Sequence, residues 1–352
     1  MMTVHSAMTA AVLHGKEDLR IERVPVPALQ PGEVLVKVGA ALTCGTDLKV
    51  YRRGYHARMI KPPALFGHEV AGEIVEVGAG VSRFKQGMRV VAANSAPCGV
   101  CFYCQRHQEN LCDDLLFNNG AYAEYIRIPQ RIVQKNLLPI PTHLSFASAA
   151  MVEPLACVLL GLHESETRAE DTIAVIGAGP IGLMFIQAAK ARACRVISIV
   201  KNEPQIATAR RFGADEVIQL QPALALADSV RGLTEGRGAD VVVEAVGRPE
   251  AWQHAIDLVR KGGCINFFGG CASGTKVELD TNRVHYSALR MRATFHHTPA
   301  SIRDALSLIA ENQVRSKDYI TGEAPLASLP EVFRMMADRG SAIKTAILPG
   351  AK

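Results

Sequence analysis

A glycine-rich turn between an apolar strand and a helix constrains the fold of this chain more than any other feature. The segment Gly177-Ala-Gly-Pro-Ile-Gly182 follows the apolar run Thr172–Ile176 and opens a helical stretch, so a G-x-G-x-x-G pattern stands in the context that it requires. Between positions 171 and 268 apolar strands alternate with helical stretches, which predicts a doubly wound parallel sheet. The predicted elements are Thr172–Ile176, Ile181–Arg192, Arg195–Val200, Pro204–Phe212, Asp240–Val243, Ala251–Val259 and Cys264–Phe268.

The glycines in this context predict a dinucleotide site rather than a purely structural turn. Gly177 permits the tight turn, Gly179 leaves room for a pyrophosphate, and Gly182 lets the helix pack close to the strand. The amides and the dipole of the helix then face the phosphates. The predicted cofactor contacts are Gly177, Gly179, Pro180, Ile181, Gly182, Val200, Lys201 and Val246.

The end of the second predicted strand bears on the choice of cofactor. An NAD site usually places an acidic residue there to accept hydrogen bonds from the ribose 2′-hydroxyl. This chain has Val200 at that position, followed by Lys201, whose charge would attract a 2′-phosphate. The sequence therefore favours NADP. The alternative is that Lys201 is a solvated loop lysine and that Asn202 or backbone groups hold a plain ribose.

The rest of the chain has a different pattern. From Val12 to Val91 it shows short β-rich runs such as Val34–Val38 and Glu73–Val77, separated by glycines and a Pro-Gly pair, which predicts a domain of short strands. A length of 352 residues exceeds what one hydrophobic core usually supports, so two domains are expected. The tail has a helical run, Ala300–Glu311, and a strand-like Thr345–Leu348 that need not join the parallel sheet.

Four cysteines lie within 15 positions, in the spacing Cys98-x2-Cys101-x2-Cys104-x7-Cys112. Four thiolates close a tetrahedral zinc shell and leave no open position, which is typical of a structural site. An iron–sulfur cluster is the rival, but the bacterial ferredoxin run has its fourth cysteine after three residues and is followed by proline. Here the gap is seven residues and Asp113 follows, so structural zinc is the prediction.

A second set of possible metal ligands is dispersed along the chain: Cys44, His68, Glu69 and Glu153. A thiolate, an imidazole and a carboxylate, with one position left for water or substrate, are what a catalytic zinc needs. Taken singly, each of these residues could equally be a core or turn residue.

Five motifs together resemble those of a known family. Cys-Gly-Thr-Asp at 44 to 47, Gly67-His-Glu69, the four-cysteine lobe, Glu153-Pro-Leu155 and the glycine turn occur in the order found in zinc-containing medium-chain dehydrogenases, and the likeness covers nearly the whole chain. Glu153 replaces a cysteine of many simple alcohol dehydrogenases, so the chain looks nearest the sorbitol, threonine and cyclitol dehydrogenases. This implies a GroES-like domain (residues 1–157, with the lobe at about 95–115), a Rossmann domain (158–295) and a C-terminal segment (296–352) completing the first domain.

The resemblance also implies roles for single residues. Cys44 and His68 would bind the catalytic zinc, with Glu69 and Glu153 sharing the remaining coordination directly, through water or in exchange. Thr46 would relay the alcohol proton, and Asp47 would orient His68. The implied reaction moves a hydride between a secondary alcohol or polyol and NAD(P), with two zinc ions per chain.

Two departures from the family pattern affect the expected proton route and substrate. Lys49 replaces a histidine often found after the relay hydroxyl, which leaves the route of the proton open. The segment Phe295-His296-His297-Thr298 stands where sorbitol dehydrogenases tend to carry an arginine and a tyrosine that hold the polyol, so sorbitol itself is not expected. Those histidines either line the pocket or are ordinary surface or core residues. Lys49, Tyr51, Arg52 and Arg53 either bind an anionic or hydroxyl-rich substrate or cover the surface.

Composition excludes several other classes of protein. A net charge of +5, from 39 basic and 34 acidic residues without long single-sign runs, favours neither nucleic acid nor a membrane surface. Residues 1–11 do not resemble a signal peptide, so a cytoplasmic protein is expected, and by resemblance a homodimer or homotetramer. Two rival functions are a zinc-independent quinone or enone reductase and a non-catalytic dinucleotide-binding redox sensor. Neither needs the candidate metal ligands that this chain retains.

Overall fold

The computed structural model describes residues 6–56, 58–221, 225–338 and 342–351. Its internal contacts divide the chain into two compact units. The first unit comprises Met1–Ala156 and His297–Lys352, and the second comprises Cys157–His296.

The strands and helices are numbered along the chain. The strands are β1 Ala7–Gly15, β2 Asp18–Pro25, β3 Val34–Leu42, β4 Ala64–Leu65, β5 Glu69–Val77, β6 Arg89–Ala92, β7 Ser95–Ala96, β8 Leu116–Phe117, β9 Tyr125–Ile128, β10 Leu137–Pro139, β11 Thr172–Ile176, β12 Arg195–Val200, β13 Glu216–Gln219, β14 Ala239–Glu244, β15 Val259–Phe267, β16 Arg290–Arg292, β17 Ile320–Pro325 and β18 Lys344–Leu348. The α-helices are α1 Gly45–Arg53, α2 Gln130–Lys135, α3 Phe146–Ala150, α4 Val152–Glu164, α5 Pro180–Ala191, α6 Pro204–Arg211, α7 Leu226–Gly232, α8 Pro249–Leu258, α9 Thr281–Tyr286, α10 Pro299–Ala310 and α11 Leu329–Ala337. Short 3-10 helices occur at Cys104–Arg106, Glu109–Leu111, Ser316–Tyr319 and Leu326–Ser328.

The first unit is built on a seven-stranded mixed sheet, which confirms the predicted β-rich domain. Its order is β10-β6-β5-β3-β18-β17, with β9 also pairing with β3. The tail strand β18 pairs antiparallel with β3, where Ala346 faces Leu42, and parallel with β17. Residues from the two ends of the chain therefore share one sheet, and the prediction that this strand need not join the parallel sheet is confirmed.

The core of the first unit contains a group of aromatic rings beside that sheet. The rings of Phe66, Tyr122 and Phe333 are fully buried, with centroids 5.6 to 6.1 Å apart. Such spacing is typical of tilted and edge-to-face aromatic packing, which adds to the stabilisation from burial. Smaller sheets complete the unit, with the orders β2-β1-β4 and β7-β8.

The second unit is a six-stranded parallel sheet in the order β13-β12-β11-β14-β15-β16. Counted within the unit this is 3-2-1-4-5-6, the order of a dinucleotide-binding doubly wound fold, so the predicted fold class is confirmed. Its central strands are largely apolar because helices cover both faces of a parallel sheet. In β12, for example, Val196 to Val200 are all buried.

Several elements were not predicted from the sequence. Helix α1 lies inside the β-rich stretch, and β13, α7 and β16 are short or flanked by polar residues, so their hydrophobic periodicity is weak. Within the described residues one helical stretch, Phe146–Glu164, is long and apolar enough to cross a membrane, and 78% of its most apolar window is buried inside the protein.

Candidate metal centres and cofactor site

The four cysteines of the lobe converge on one point. All four sulfur atoms lie within 4.8 Å of one another, and two of the separations, Cys98–Cys104 and Cys101–Cys112, are 3.9 and 3.8 Å. A tetrahedron with zinc–sulfur bonds of about 2.3 Å has sulfur–sulfur edges of about 3.8 Å. The sulfur positions therefore fit a zinc ion with no open coordination position.

Backbone amides stabilise negative charge on this lobe. The N–H groups of Cys104 and Asp113 donate to the sulfur of Cys101 and lower its pKa to about 6. Burial instead raises the pKa of Cys104 to about 12. A cation at the centre would hold all four sulfurs as thiolates, because a coordinated thiol loses its proton.

A second group forms where α1 begins and β5 begins. Cys44 is the N-cap residue of α1, and its sulfur accepts the N–H of Thr46 at 3.4 Å. His68 directly precedes β5 and Glu69 is its first residue. One donor atom from each of Cys44, His68 and Glu69 lies within 4.8 Å of the others, in a partly to fully buried position. A thiol, an imidazole and a carboxylate in this arrangement fit the donor set of a catalytic zinc.

A chain of hydrogen bonds fixes the orientation of the His68 ring. Its Nδ1 lies 2.8 Å from Oδ1 of Asp47, and the hydroxyl of Tyr122 lies 2.7 Å from Oδ2 of the same carboxylate. Burial disfavours the charged imidazole, but Asp47 and Cys44 raise the pKa of His68 well above its ordinary value. With Nδ1 occupied by Asp47, Nε2 is the nitrogen left for a metal, as in the carboxylate–histidine pairs of zinc sites.

Glu69 forms a buried ion pair with Lys344 of β18. The Lys344 ammonium lies 2.7 and 2.6 Å from the two carboxylate oxygens of Glu69 and donates a further hydrogen bond of 2.8 Å to the carbonyl of Thr43. Both side chains are almost completely buried. Burial raises the pKa of Glu69 against the attraction of Lys344. Burial also lowers the pKa of the Lys344 ammonium, but the charges of Glu69, Cys44 and Glu153 and the hydrogen bond to Glu69 together raise that pKa above its ordinary value.

Glu153 lies in the first turn of α4 and has different neighbours. Its Oε1 is 3.9 Å from Nε2 of His297, and that same nitrogen lies 3.0 Å from Oδ1 of Asn94. Burial raises the pKa of Glu153 to about 7 and lowers that of His297 to about 3. The charges of His68 and Glu69 also act on Glu153, which places it within electrostatic range of the Cys44 group.

The glycine turn of the second unit has the geometry that its sequence predicts. Gly177 has φ of +100°, in the region that favours glycine, and a Cβ at Gly182 would lie 1.8 Å from the carbonyl oxygen of Gly177. A Cβ at Gly179 would meet nothing within 4 Å. Gly179 is the N-cap of α5 and Pro180 its first residue, so the free amides of the first turn are available to an anion.

The two glycines are expected to respond differently to substitution. Gly182→Ala forces a methyl group against the main chain and should lower the free energy of unfolding by about 2–4 kcal/mol. Gly179→Ala should leave stability nearly unchanged but raise the cofactor Kd at least about tenfold, because the methyl group occupies the open space above the turn. Thermal unfolding and fluorescence titration with the cofactor measure the two effects. Unchanged cofactor affinity in Gly179→Ala would contradict the predicted role of the turn.

The end of β12 bears the residues that were predicted to discriminate between cofactors. Val200 is fully buried and Lys201 is exposed. The backbone N–H groups of Lys201 and Asn202 both donate to Oε1 of Gln205 at 3.1 Å, which closes the turn into α6. After β14, the N–H groups of Val246 and Gly247 donate to Oε1 of the buried Glu244, so Val246 is held beside the glycine turn, where its Cγ2 faces Gly177.

Comparison with known proteins places the chain in a family. Residues 30–142 match the family described as alcohol dehydrogenase GroES-like domain, and residues 180–311 match zinc-binding dehydrogenase. Over 99% of both chains it is 32% identical to sorbitol dehydrogenase of Bacillus subtilis. It is also 32% identical to L-threonine 3-dehydrogenase of Bacillus licheniformis, over 95% of this chain and 96% of that one. A zinc-binding dehydrogenase of Sinorhizobium meliloti, solved with NADP bound, superposes with a TM-score of 0.89 at 28% identity and covers 98% of this chain and 100% of its own.

The chain belongs to the zinc-containing medium-chain alcohol and polyol dehydrogenases. It is accordingly a zinc-dependent, nicotinamide-dependent oxidoreductase that acts on CH–OH groups. The predicted family, fold class and reaction class are thereby confirmed, and neither rival function is favoured.

Three residues at the site carried no signal in the sequence alone. Lys344 is one of 39 basic residues, Tyr122 lies in an ordinary strand-like stretch, and Asn94 precedes the cysteine lobe without a recognisable motif. The structure brings each of them to a predicted site residue through a long-range hydrogen bond. Only a lysine inside an apolar strand, in Ile343–Leu348, hinted that Lys344 has a buried partner.

Proposed function

We propose that this enzyme oxidises a secondary hydroxyl of a polyol or of a related hydroxyl-rich compound, and reduces the corresponding ketone in reverse. The observation that carries the proposal is the convergence of Cys44, His68 and Glu69 within 4.8 Å, with His68 oriented by Asp47. The named relatives act on sorbitol and L-threonine, both of which carry a secondary hydroxyl next to a further polar group. Asn94 and His297, buried beside Glu153, offer polar atoms for that neighbouring group.

Two zinc ions per chain are part of this proposal. The lobe residues Cys98, Cys101, Cys104 and Cys112 would hold one. Cys44 and His68 would hold the other, with Glu69 and Glu153 sharing the remaining coordination. Because a carboxylate has about four lone-pair sites, Glu69 can accept from Lys344 and still present an oxygen to a metal.

Different residues of the first unit have different roles in the proposed reaction. Bound zinc supplies a Lewis acid that lowers the pKa of a hydroxyl, and the nicotinamide accepts the hydride. Thr46, exposed at the start of α1, would take the hydroxyl proton outward. Asp47 keeps Nδ1 of His68 engaged so that Nε2 points to the metal, and Lys344 keeps Glu69 charged in a buried position.

The cofactor is proposed to bind at the glycine turn, through Gly177, Gly179, Pro180, Ile181, Gly182, Val200, Lys201 and Val246, with NADP preferred. The buried Val200 offers no carboxylate to a ribose 2′-hydroxyl, and the exposed Lys201 offers a charge to a 2′-phosphate. We further propose functional domains at 1–157, 158–295 and 296–352, which the division by contacts into two units supports to within one residue. A cytoplasmic homodimer or homotetramer is the proposed form.

The deciding experiment measures zinc content beside initial rates with NAD and NADP on polyols, cyclitols, L-threonine and simple secondary alcohols. Two zinc ions per chain with reduction of the cofactor on a polyhydroxylated substrate is the expected result. One zinc ion and no turnover on any compound would contradict the catalytic proposal and leave only the lobe filled.

The NADP preference is tested at Lys201. Lys201→Ala is expected to raise the KM for NADP about tenfold and to change that for NAD less than twofold, because only NADP carries the 2′-phosphate. Glu203→Gln on the same turn is the matched control, since removal of a nearby negative charge should leave NADP binding equal or better. An equal change in the KM for NADP and for NAD in Lys201→Ala would show that this lysine does not bind the 2′-phosphate.

A further inference from the structure

The stretch that joins the two ligand motifs of the proposed catalytic site is strongly positive. From position 48 to 67 the chain has five lysines and arginines and no aspartate or glutamate: Lys49, Arg52, Arg53, Arg58 and Lys61. The formal net charge of all 352 residues is +5, so this one stretch holds an excess equal to that of the whole chain. It directly follows Cys44, Thr46 and Asp47 and ends at His68.

Two of these cations, Lys49 and Arg53, lie on the same face of α1 as Thr46. With 3.6 residues per turn, Thr46, Lys49 and Arg53 fall within about 60° of one another around the helix. All three are exposed, whereas Asp47 and Val50 are buried. Lys49 lies about 4.5 Å and Arg53 about 10.5 Å along the axis from Thr46, at 1.5 Å per residue. We call Thr46, Lys49 and Arg53 the cationic face of α1.

The charges on this face are not neutralised by the protein. Among the described residues, Lys49 and Arg53 have no ion-pair or hydrogen-bond partner. Arg52, the next residue to Arg53 on another side of the helix, instead donates to the carbonyl of Ala337 at 3.0 Å. Arg20, which is also exposed, instead forms an ion pair with Asp18 at 2.7 Å.

A neighbouring turn adds to the positive charge beside α1. His56 is half-buried, and its Nδ1 accepts the backbone N–H groups of Arg58 and Met59 at 3.2 and 3.1 Å. Burial lowers the pKa of His56, and the charged neighbours that lower it further are Arg53, His68 and Arg58. Arg53 and Arg58 therefore act on the same imidazole, and both contribute positive charge there.

We propose that the substrate carries an anionic group at a distance from its reacting hydroxyl, and that Lys49 and Arg53 on the cationic face of α1 bind this group. The anion is a phosphate ester or a carboxylate at the far end of a polyol chain. A guanidinium binds either anion through two parallel hydrogen bonds, and an ammonium adds a point charge. The inference rests on the proposed function, because the reacting hydroxyl is placed next to Thr46.

The test compares one polyol with its terminal phosphate ester and with the corresponding sugar acid. The zinc-loaded enzyme is expected to favour one of the two anions over the neutral polyol at least tenfold in kcat/KM, and the better anion identifies the group. Lys49→Gln and Arg53→Gln should each reduce this preference about fivefold to tenfold, with the KM for the cofactor unchanged. The preference should also fall as salt is raised, since exposed charges are screened.

Arg52→Gln is the matched control, because it removes the same charge from the adjacent position but not from the cationic face of α1. The proposal is overturned if the neutral polyol is preferred, if Arg52→Gln has an equal effect, or if the variants raise the KM of the cofactor instead. Calorimetric titration of the phosphate ester into zinc-loaded protein without cofactor separates the two proposals. Binding that is lost in Arg53→Gln supports the anion site even without turnover, whereas turnover of neutral polyols without ester binding supports the proposed function alone.

Discussion

Lys344→Met is expected to lower the free energy of unfolding by about 3–5 kcal/mol, the range measured when one partner of a buried ion pair is removed. Lys344 and Glu69 are 3% and 0% exposed, and the ammonium donates to both carboxylate oxygens and to the carbonyl of Thr43. Methionine preserves most of the volume but leaves the buried carboxylate of Glu69 without its ammonium partner. Denaturant titration of the zinc-loaded protein measures the loss.

The double variant Glu69→Gln/Lys344→Met is the control for this prediction. Because it removes both members of the ion pair, it leaves no unpaired buried charge. It should therefore recover at least half of the lost free energy of unfolding. The deficit of the single variant should also shrink as the pH falls from 7 toward about 5, because burial raises the pKa of Glu69 and the neutral acid needs no cation. A single variant within 1 kcal/mol of the parent at pH 7 would show that the pair is not needed for stability.

Cys44→Ser is expected to reduce zinc content from the proposed two ions per chain to one and to lower kcat at least about a thousandfold. A bound zinc ion stabilises the developing negative charge by several kcal/mol. A loss of about 4 kcal/mol of this stabilisation corresponds to a thousandfold lower rate. Cys44 is the thiol of the group formed with His68 and Glu69, and no other described cysteine belongs to that group. Zinc analysis and steady-state rates measure the two quantities.

Cys101→Ser provides the reciprocal variant in the cysteine lobe. It should also lose one zinc ion, but its main effect should be on thermal stability, because a closed four-thiolate site contributes to folding rather than to chemistry. Retention of turnover within tenfold of the parent in Cys44→Ser would contradict the proposed catalytic centre. Equal losses of turnover in both variants would show that the two sites are not separable.

Local patterns explain why part of the fold and site could be predicted. The glycine turn between Thr172–Ile176 and α5 is a contiguous segment whose backbone geometry depends on neighbouring residues. The cysteines from Cys98 to Cys112 are likewise held near one another by the short chain between them. In both cases chain connectivity keeps the interacting groups close, so residue type and spacing carry most of the information.

The proposed catalytic site is a different case, because His68 follows Cys44 by 24 positions and Glu153 follows His68 by 85. Their spacing alone does not bring them together, and only the resemblance to a family joined them. Helix α1 was missed because it lies within a β-rich stretch, yet its N-cap places Cys44, and its exposed face carries Lys49 and Arg53.

The sequence by itself determined the doubly wound sheet, the glycine turn and the cysteine lobe, since each depends on periodicity or short-range spacing. Only the tertiary structure decided that β18 pairs with β3, about 300 positions away, and that Lys344 thereby reaches Glu69. The entropic cost of closing a loop grows only slowly with its length, so pairing β18 with β3 costs about as much as pairing it with many other strands. The pairing is therefore selected by packing and by the need of a buried carboxylate for a cation, neither of which is visible in the order of the residues.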